Sequence, residues 1–221
     1  MAGENKVRPK GFKEWVENYW YHYKWPTIIV CVLALSLTVS IAQCTARPSY
    51  DYNVVIAFQS VELAPAQITA FETELSKYGT DQNGDGQVLV RVIDCSFNKD
   101  ATYYGMALSK RQKLQTVLTS EQNMLIILSD KEAYEWLSGI RDEGFMANMG
   151  LPEDGGKYFS LTETEFYKNV KGAVSSVATW PKELRLSRRI VEGTLIENDK
   201  DVDKSMKTAD DFIAAIVEKN S

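Results

Sequence analysis

Met124-Leu125-Ile126-Ile127-Leu128-Ser129-Asp130-Lys131-Glu132 decides how the larger part of this chain is read. Consecutive apolar residues imply a strand covered on both faces. Ser129, followed three residues later by Glu132, forms a capping box that opens a helix through Leu137. Two further strand–helix pairs precede it. Tyr52–Phe58 is a β-branched apolar run, and Pro65, Ile68, Phe71, Leu75 and Tyr78 follow at helical spacing, with Gly79 as the stop. Gln87–Ile93 is the second strand, followed by a helix from about Asp100 to Leu118 with Ala107, Leu114 and Leu118 on one face. This alternation predicts an α/β domain of three layers with a mainly parallel sheet and right-handed crossovers.

Beyond Leu137 the pattern is less regular. Glu143–Gly156 carries Gly144, Gly150, Pro152, Gly155 and Gly156 and reads as a long loop. Ser160-Leu161-Thr162-Glu163 caps a short helix. Glu183–Val191 alternates like a strand with one wet face at the edge of a sheet, with Arg188 and Arg189 as solvated edge charges. Thr208-Ala209-Asp210-Asp211 opens a last helix that turns Phe212, Ile213, Ile216 and Val217 inward.

Toward the N-terminus the chemistry changes. No charged residue occurs from Trp25 to Ala46, a run of 22. A helix of that length spans about 33 Å, enough for a hydrocarbon core of about 30 Å. Ser36, Thr38 and Ser40 can bond back to helix carbonyls, and Pro26 suits a first turn. Lys6, Arg8, Lys10, Lys13 and Lys24 precede the run, whereas only Arg47 follows it closely, which places the N-terminus in the cytoplasm and residues 47–221 outside. Phe12, Trp15, Tyr19 and Tyr23 share a helical face and, with Trp20, Tyr21 and Trp25, form an aromatic belt at the headgroup level. The expected organisation is an interfacial segment 1–24, a transmembrane helix 25–46 and an extracytoplasmic domain 47–221, opened by the linker Arg47-Pro48-Ser49-Tyr50. A signal peptide cleaved after Ser40-Ile41-Ala42 and a lipidated Cys44 are the rival readings, and Gln43 breaks the lipobox.

Of 221 residues, 44% are hydrophobic and 25% charged, with 13 Gly and 6 Pro, which excludes a collagen-like or wholly disordered chain. Residues 47–221 hold 20 basic and 27 acidic residues, and a net charge of −7 argues against a nucleic-acid footprint. His22 is the only histidine, so no Ser-His-Asp or Cys-His arrangement exists in the outer domain. Three cysteines are too few for a disulfide framework, and Cys95 reads as a small buried residue.

Asp81-Gln82-Asn83-Gly84-Asp85-Gly86 is the sharpest motif. Oxygen donors at alternate positions, with Gly at the sixth, let Asp81, Asn83, Asp85 and the Gln87 carbonyl converge on Ca2+. Val92 stands where a bidentate Glu would complete the shell, so Asp94 is the candidate for the missing ligand. A plain turn is the other reading, since Asn-Gly and Asp-Gly are common between helix and strand. Gln59, Ser60, Asp94–Ser96, Ser129 and Asp130 fall at strand ends, where ligands of open α/β sheets bind. Ser96-Phe97-Asn98-Lys99 matches S-x-x-K, but its companion motifs are absent.

The order YDYNVVIAF (50–58), YGTDQNGDGQVLVRVI (78–93), KLQTVL (113–118) and MLIILSD (124–130), behind a leader and a span, resembles a group of uncharacterised single-pass membrane-anchored proteins of Gram-positive bacteria with an extracytoplasmic α/β domain. It is also faintly similar to one lobe of a solute-binding protein. The resemblance implies an architecture and brings no activity. The expected function is a membrane-anchored binding or interaction module accessory to a transporter or envelope complex. Its expected partners are the lipid bilayer and a second membrane or envelope protein. A His-independent extracytoplasmic hydrolase and a calcium-stabilised structural domain are the alternatives.

Overall fold

The computed structural model describes residues 11–45, 49–100, 103–121, 123–140, 144–174 and 178–221, with side chains 42–45 left out. Lys6, Arg8, Lys10, Arg47, Pro48, Glu143 and the Cys44 side chain lie outside the described residues. The chain divides into two compact units, 1–48 and 49–221.

The first unit carries helix α1 (Phe12–Thr45), 34 residues long. Its stretch Phe12–Ile41 is long and apolar enough to cross a membrane, a property that signal sequences share. The hydroxyls of Ser36, Thr38 and Ser40 donate to the carbonyls of Leu33, Ala34 and Ser36, so their polarity is absorbed within the helix. The aromatic face is a continuous ladder. Ring centroids of Phe12 and Trp15, Trp15 and Tyr19, and Tyr19 and Tyr23 lie 6.3, 5.7 and 5.3 Å apart. Pro26 is not in a first turn but well inside α1, because the aromatic segment and the apolar run form one helix.

The second unit contains β1 (Tyr52–Ala57), α2 (Pro65–Ser76), β2 (Val90–Asp94), α3 (Tyr104–Ser120), β3 (Ile126–Ser129), α4 (Lys131–Ser138), β4 (Tyr158–Ser160), α5 (Glu165–Gly172), β5 (Arg185–Arg188) and α6 (Val202–Asn220). The strands form one sheet in the order β2-β1-β3-β5-β4. β1 pairs in parallel with β2 and β3, whereas β5 pairs antiparallel with β3 and β4. The sheet is therefore mixed, not mainly parallel: the crossover pattern stops at α4, and the chain returns through β4 and β5 in the opposite sense.

Side chains along β1 alternate between two hydrophobic clusters. Val54, Ile56 and Phe58 join Phe71, Phe166 and Phe212 from α2, α5 and α6. Val55 and Ala57 join Leu114 and Leu118 of α3 with Tyr134 and Leu137 of α4. Each such large apolar side chain removed from water contributes about 1.5–3 kcal/mol, so β1, apolar on both sides, lies inside the sheet between β2 and β3.

Several local expectations are corrected. β5 is internal, between β3 and β4, and its polar side is covered. Arg185 lies over the rings of Tyr134 and Tyr158 at 5.1 and 4.6 Å and pairs with Glu183 at 2.7 Å, while Arg188 pairs with Asp210 at 2.7 Å. Arg189 is not solvated; it is fully buried. Asp130, not Ser129, caps α4, its carboxylate accepting from the Ala133 N–H at 2.8 Å. Thr164, beyond Ser160–Glu163, caps α5. The Thr208–Asp211 box lies inside α6, which begins at Val202, and Asp210 is used by Arg188.

Candidate functional site

Parallel pairing brings the carboxyl ends of β1, β2 and β3 to one side of the sheet. Asp130 organises this side. It is 3% exposed. Its Oδ2 accepts from the backbone N–H of Gln59 and Ser60 at 2.9 and 2.8 Å and from Ser60 Oγ at 2.6 Å. With the α4 cap on Oδ1, four donors hold the carboxylate, which fastens the end of β1 to the start of α4. Those lone pairs are committed to structure, leaving Asp130 poorly placed as an acid or base.

Asp94 ends β2. It accepts from the Ser96 N–H at 2.9 Å and from the Ser96 hydroxyl, and Lys110 of α3 reaches it at 3.1 Å. Lys113 donates to the Asp94 main-chain carbonyl at 2.8 Å. Lys99, the last residue of the S-x-x-K pattern, pairs with Glu132 at 2.8 Å, so both ends of that pattern have other partners. Cys95 beside them is buried, which pushes its thiol up to about 11 and keeps it protonated at neutral pH.

Arg111 of α3 belongs to none of the sequence motifs. Its Nη2 donates to Gln59 Oε1 at 2.8 Å, and its guanidinium lies 5.4 Å from the ring centre of Phe97 and 5.5 Å from that of Trp136. Two donors in this arrangement, Arg111 Nε and Gln59 Nε2, are out of reach of solvent and have no acceptor among the described residues. Arg111 also lines a cleft of about 180 Å3 walled by Phe97, Tyr104, Ala107 and Leu108 and rimmed by Lys99. The available signal was compositional: from Tyr103 to Ser120 the chain carries Lys110, Arg111 and Lys113 and no acidic residue, in a domain that is acidic overall.

The 81–87 loop lies before β2, at the opposite end of that strand from Asp94. The structure thus brings Asp81, Asn83, Asp85 and Gln87 into one turn and leaves Asp94 out of it; five strand residues at about 3.3 Å each separate the two ends. Within the turn the side chains accept from their own backbone. Asp81 takes the N–H groups of Asn83, Gly84 and Gly86 at 3.1, 2.6 and 2.8 Å, Asn83 takes that of Asp85 at 2.8 Å, and Asp85 takes that of Gln87 at 2.9 Å. The N–H groups of Gly86 and Gly84 hold the Asp81 carboxyl below the ordinary carboxylate range. Gly84 and Gly86 have φ of 79° and 82°, where a side chain would be strained. Asp51 braces the loop, accepting from Gln82 and Leu89 N–H groups at 2.8 Å each. Among the described residues, no group of three or more His, Cys, Asp or Glu side chains is arranged to hold a metal ion.

Larger clefts lie elsewhere, and two of them border charged side chains, near the amino end of β1 and along α6. One, of about 350 Å3, is bordered by Tyr50, Asn53, Asn123, Lys204 and Thr208, near the amino end of β1. The other, of about 590 Å3, runs along α6 past the Arg188–Asp210 pair. Burial pushes the Asp210 carboxyl up despite its cationic partner.

Compared with known protein families, characterised proteins and solved structures, the chain matches none of them.

Proposed function

We propose that the chain is a single-pass membrane protein whose α1 is retained as an anchor, with the N-terminus in the cytoplasm and an α/β domain, helices over both faces of its sheet, outside. The domain acts as a binding or interaction module within a membrane or envelope assembly, in keeping with the likeness to the bitopic Gram-positive group. The observation that carries this reading is the character of α1. The apolar side chains of Ile29, Val30, Leu33, Leu35 and Leu37 are more than half exposed. Such a surface is stable in lipid and unstable in water. The aromatic ladder from Phe12 to Tyr23 suits the interface beside it.

Protease added to intact cells tests the proposal. Digestion of residues 49–221, with the anchor recovered in the membrane pellet, is the expected result. A chain found in the soluble fraction, or an untouched domain in intact cells that is cleaved only after lysis, would overturn it.

A second reading concerns the 81–87 loop, which we propose as a Ca2+ site. Its support is the meeting of Asp81, Asn83 and Asp85 in one tight turn. Millimolar calcium should then raise the melting midpoint above that in chelator, and Asp85→Asn should abolish the difference. An unchanged midpoint sinks the idea.

A further inference from the structure

We propose that the cleft beside Arg111 is a docking site for a peptide segment of a partner protein that places an apolar side chain next to a carboxylate. This names the partner chemistry of the interaction module above and rests on that reading.

The cleft volume, about 180 Å3, suits one large apolar side chain rather than a whole metabolite, whose pockets run from about 300 Å3 upward. Its walls, Phe97, Ala107 and Leu108, supply an apolar contact. The apolar surface continues from the exposed wall residues Tyr104 and Leu108 to Tyr103, 82% exposed, and Met106, which is also open. Together these make a platform broader than a small ligand would use, placed next to a cleft that can take an anchor.

Charge selects the second feature. Lys99 and Lys110 have the carboxylates of Glu132 and Asp94 as partners. Arg111 instead has the neutral amide of Gln59, and among the described residues no carboxylate pairs with it. A guanidinium flanked by two aromatic rings is poorly hydrated, so an arriving carboxylate gains more there than at an open lysine. Gln59, 4% exposed and with an orphaned amide donor, stands behind Arg111 and orients it. An acidic segment with an apolar anchor answers both the platform and the uncompensated charge. A lipid surface answers the charge less well, since its phosphates would meet two lysines already neutralised.

The test uses the full chain in phosphatidylcholine nanodiscs and a fluorescent capped peptide, Gly-Ser-Glu-Leu-Phe-Glu-Ser-Gly. It should bind about tenfold more tightly than versions with both Glu changed to Gln or with Leu and Phe changed to Ser, ~1.4 kcal/mol in each case. Arg111→Gln should weaken binding about tenfold. Tyr104→Ser, at an exposed position, should also weaken it, and Lys168→Gln on α5 should change nothing. Equal binding of the Gln peptide, indifference to Tyr104→Ser and Arg111→Gln, no binding at all, or full displacement by free octanoate would each overturn the proposal. Cosedimentation with phosphatidylglycerol vesicles that depends on Arg111 and Tyr104, in place of peptide binding, would also overturn it. The assay does not depend on orientation in the cell, so its failure would leave the protease result for the anchor standing.

Discussion

Arg189 donates from Nε to the main-chain carbonyl of Met124 at 2.7 Å, and its two terminal nitrogens reach the carbonyls of Leu118 and Glu121. These carbonyls belong to the end of α3 and the turn into β3, and α3 carries no basic residue in its own last turn. A cation supplied from the end of β5 thus caps a helix about seventy residues earlier in the chain, meeting both its unpaired carbonyls and its dipole. Burial pushes the guanidinium down to about 10, still charged at neutral pH.

Arg189→Met should therefore leave these buried carbonyls without donors. The expected loss is about 3 kcal/mol, read as a lower midpoint in urea. Arg189→Lys, with one ammonium for three acceptors, should recover only part of it.

Asp130→Ala removes the α4 cap and orphans the Gln59 and Ser60 N–H groups together. A loss of about 3 kcal/mol is expected, against about 1 kcal/mol for Ser60→Ala, which deletes one donor. Thermal melts of the two variants check the ordering. Equal effects would mean that the hydroxyl, not the backbone pair, carries the clip.

Gly79→Ala is expected to destabilise although Gly79 does not need a left-handed backbone. An added Cβ would lie 2.6 Å from Tyr52 Cε2 and 2.8 Å from Val88 Cγ1. Tyr52 has little room to yield, being stacked on Phe212 at 4.2 Å with its hydroxyl bonded to Thr80 and Gln82. Overpacking of this kind costs about 1–3 kcal/mol, measurable by denaturant titration. Tyr52→Phe combined with Gly79→Ala should not relieve it, since the clash is with the ring.

Asp81 sets a pH signature. Its folded carboxyl titrates below the ordinary 3.8, so the stability it contributes is present above about pH 4 and lost as pH falls through the folded value. Asp81→Asn should melt below the parent at about pH 6, and the gap should narrow as pH falls below about 4 and through the folded value. A gap independent of pH would show that the charge is not what the turn uses.

The legible parts of this fold were those with local causes. β1 and β3 declared themselves because Val54–Phe58 and Leu125–Leu128 are buried on both sides, and α2 because Pro65 and Phe71 keep helical spacing. The aromatic ladder of α1 followed from spacing alone. β5 misled because Arg185 and Arg188 look wet in sequence, whereas tyrosine rings and Asp210, distant in the chain, cover them. β4, three residues long, has no periodicity to read. The site divided the same way. The 81–87 turn is local and visible, but the exclusion of Asp94 depends on the length of β2, and the meeting of Arg111 with Gln59 depends on the crossover that seats α3.

The placement of β5 between β3 and β4 has a consequence for biosynthesis. Until Arg185–Arg188 has been made, one flank of Ile126–Ser129 offers its N–H and C=O groups to any passing strand. A chain interrupted or clipped before that point presents a sticky ribbon of apolar residues, so truncated products should self-associate and be cleared rather than survive as smaller versions of the domain.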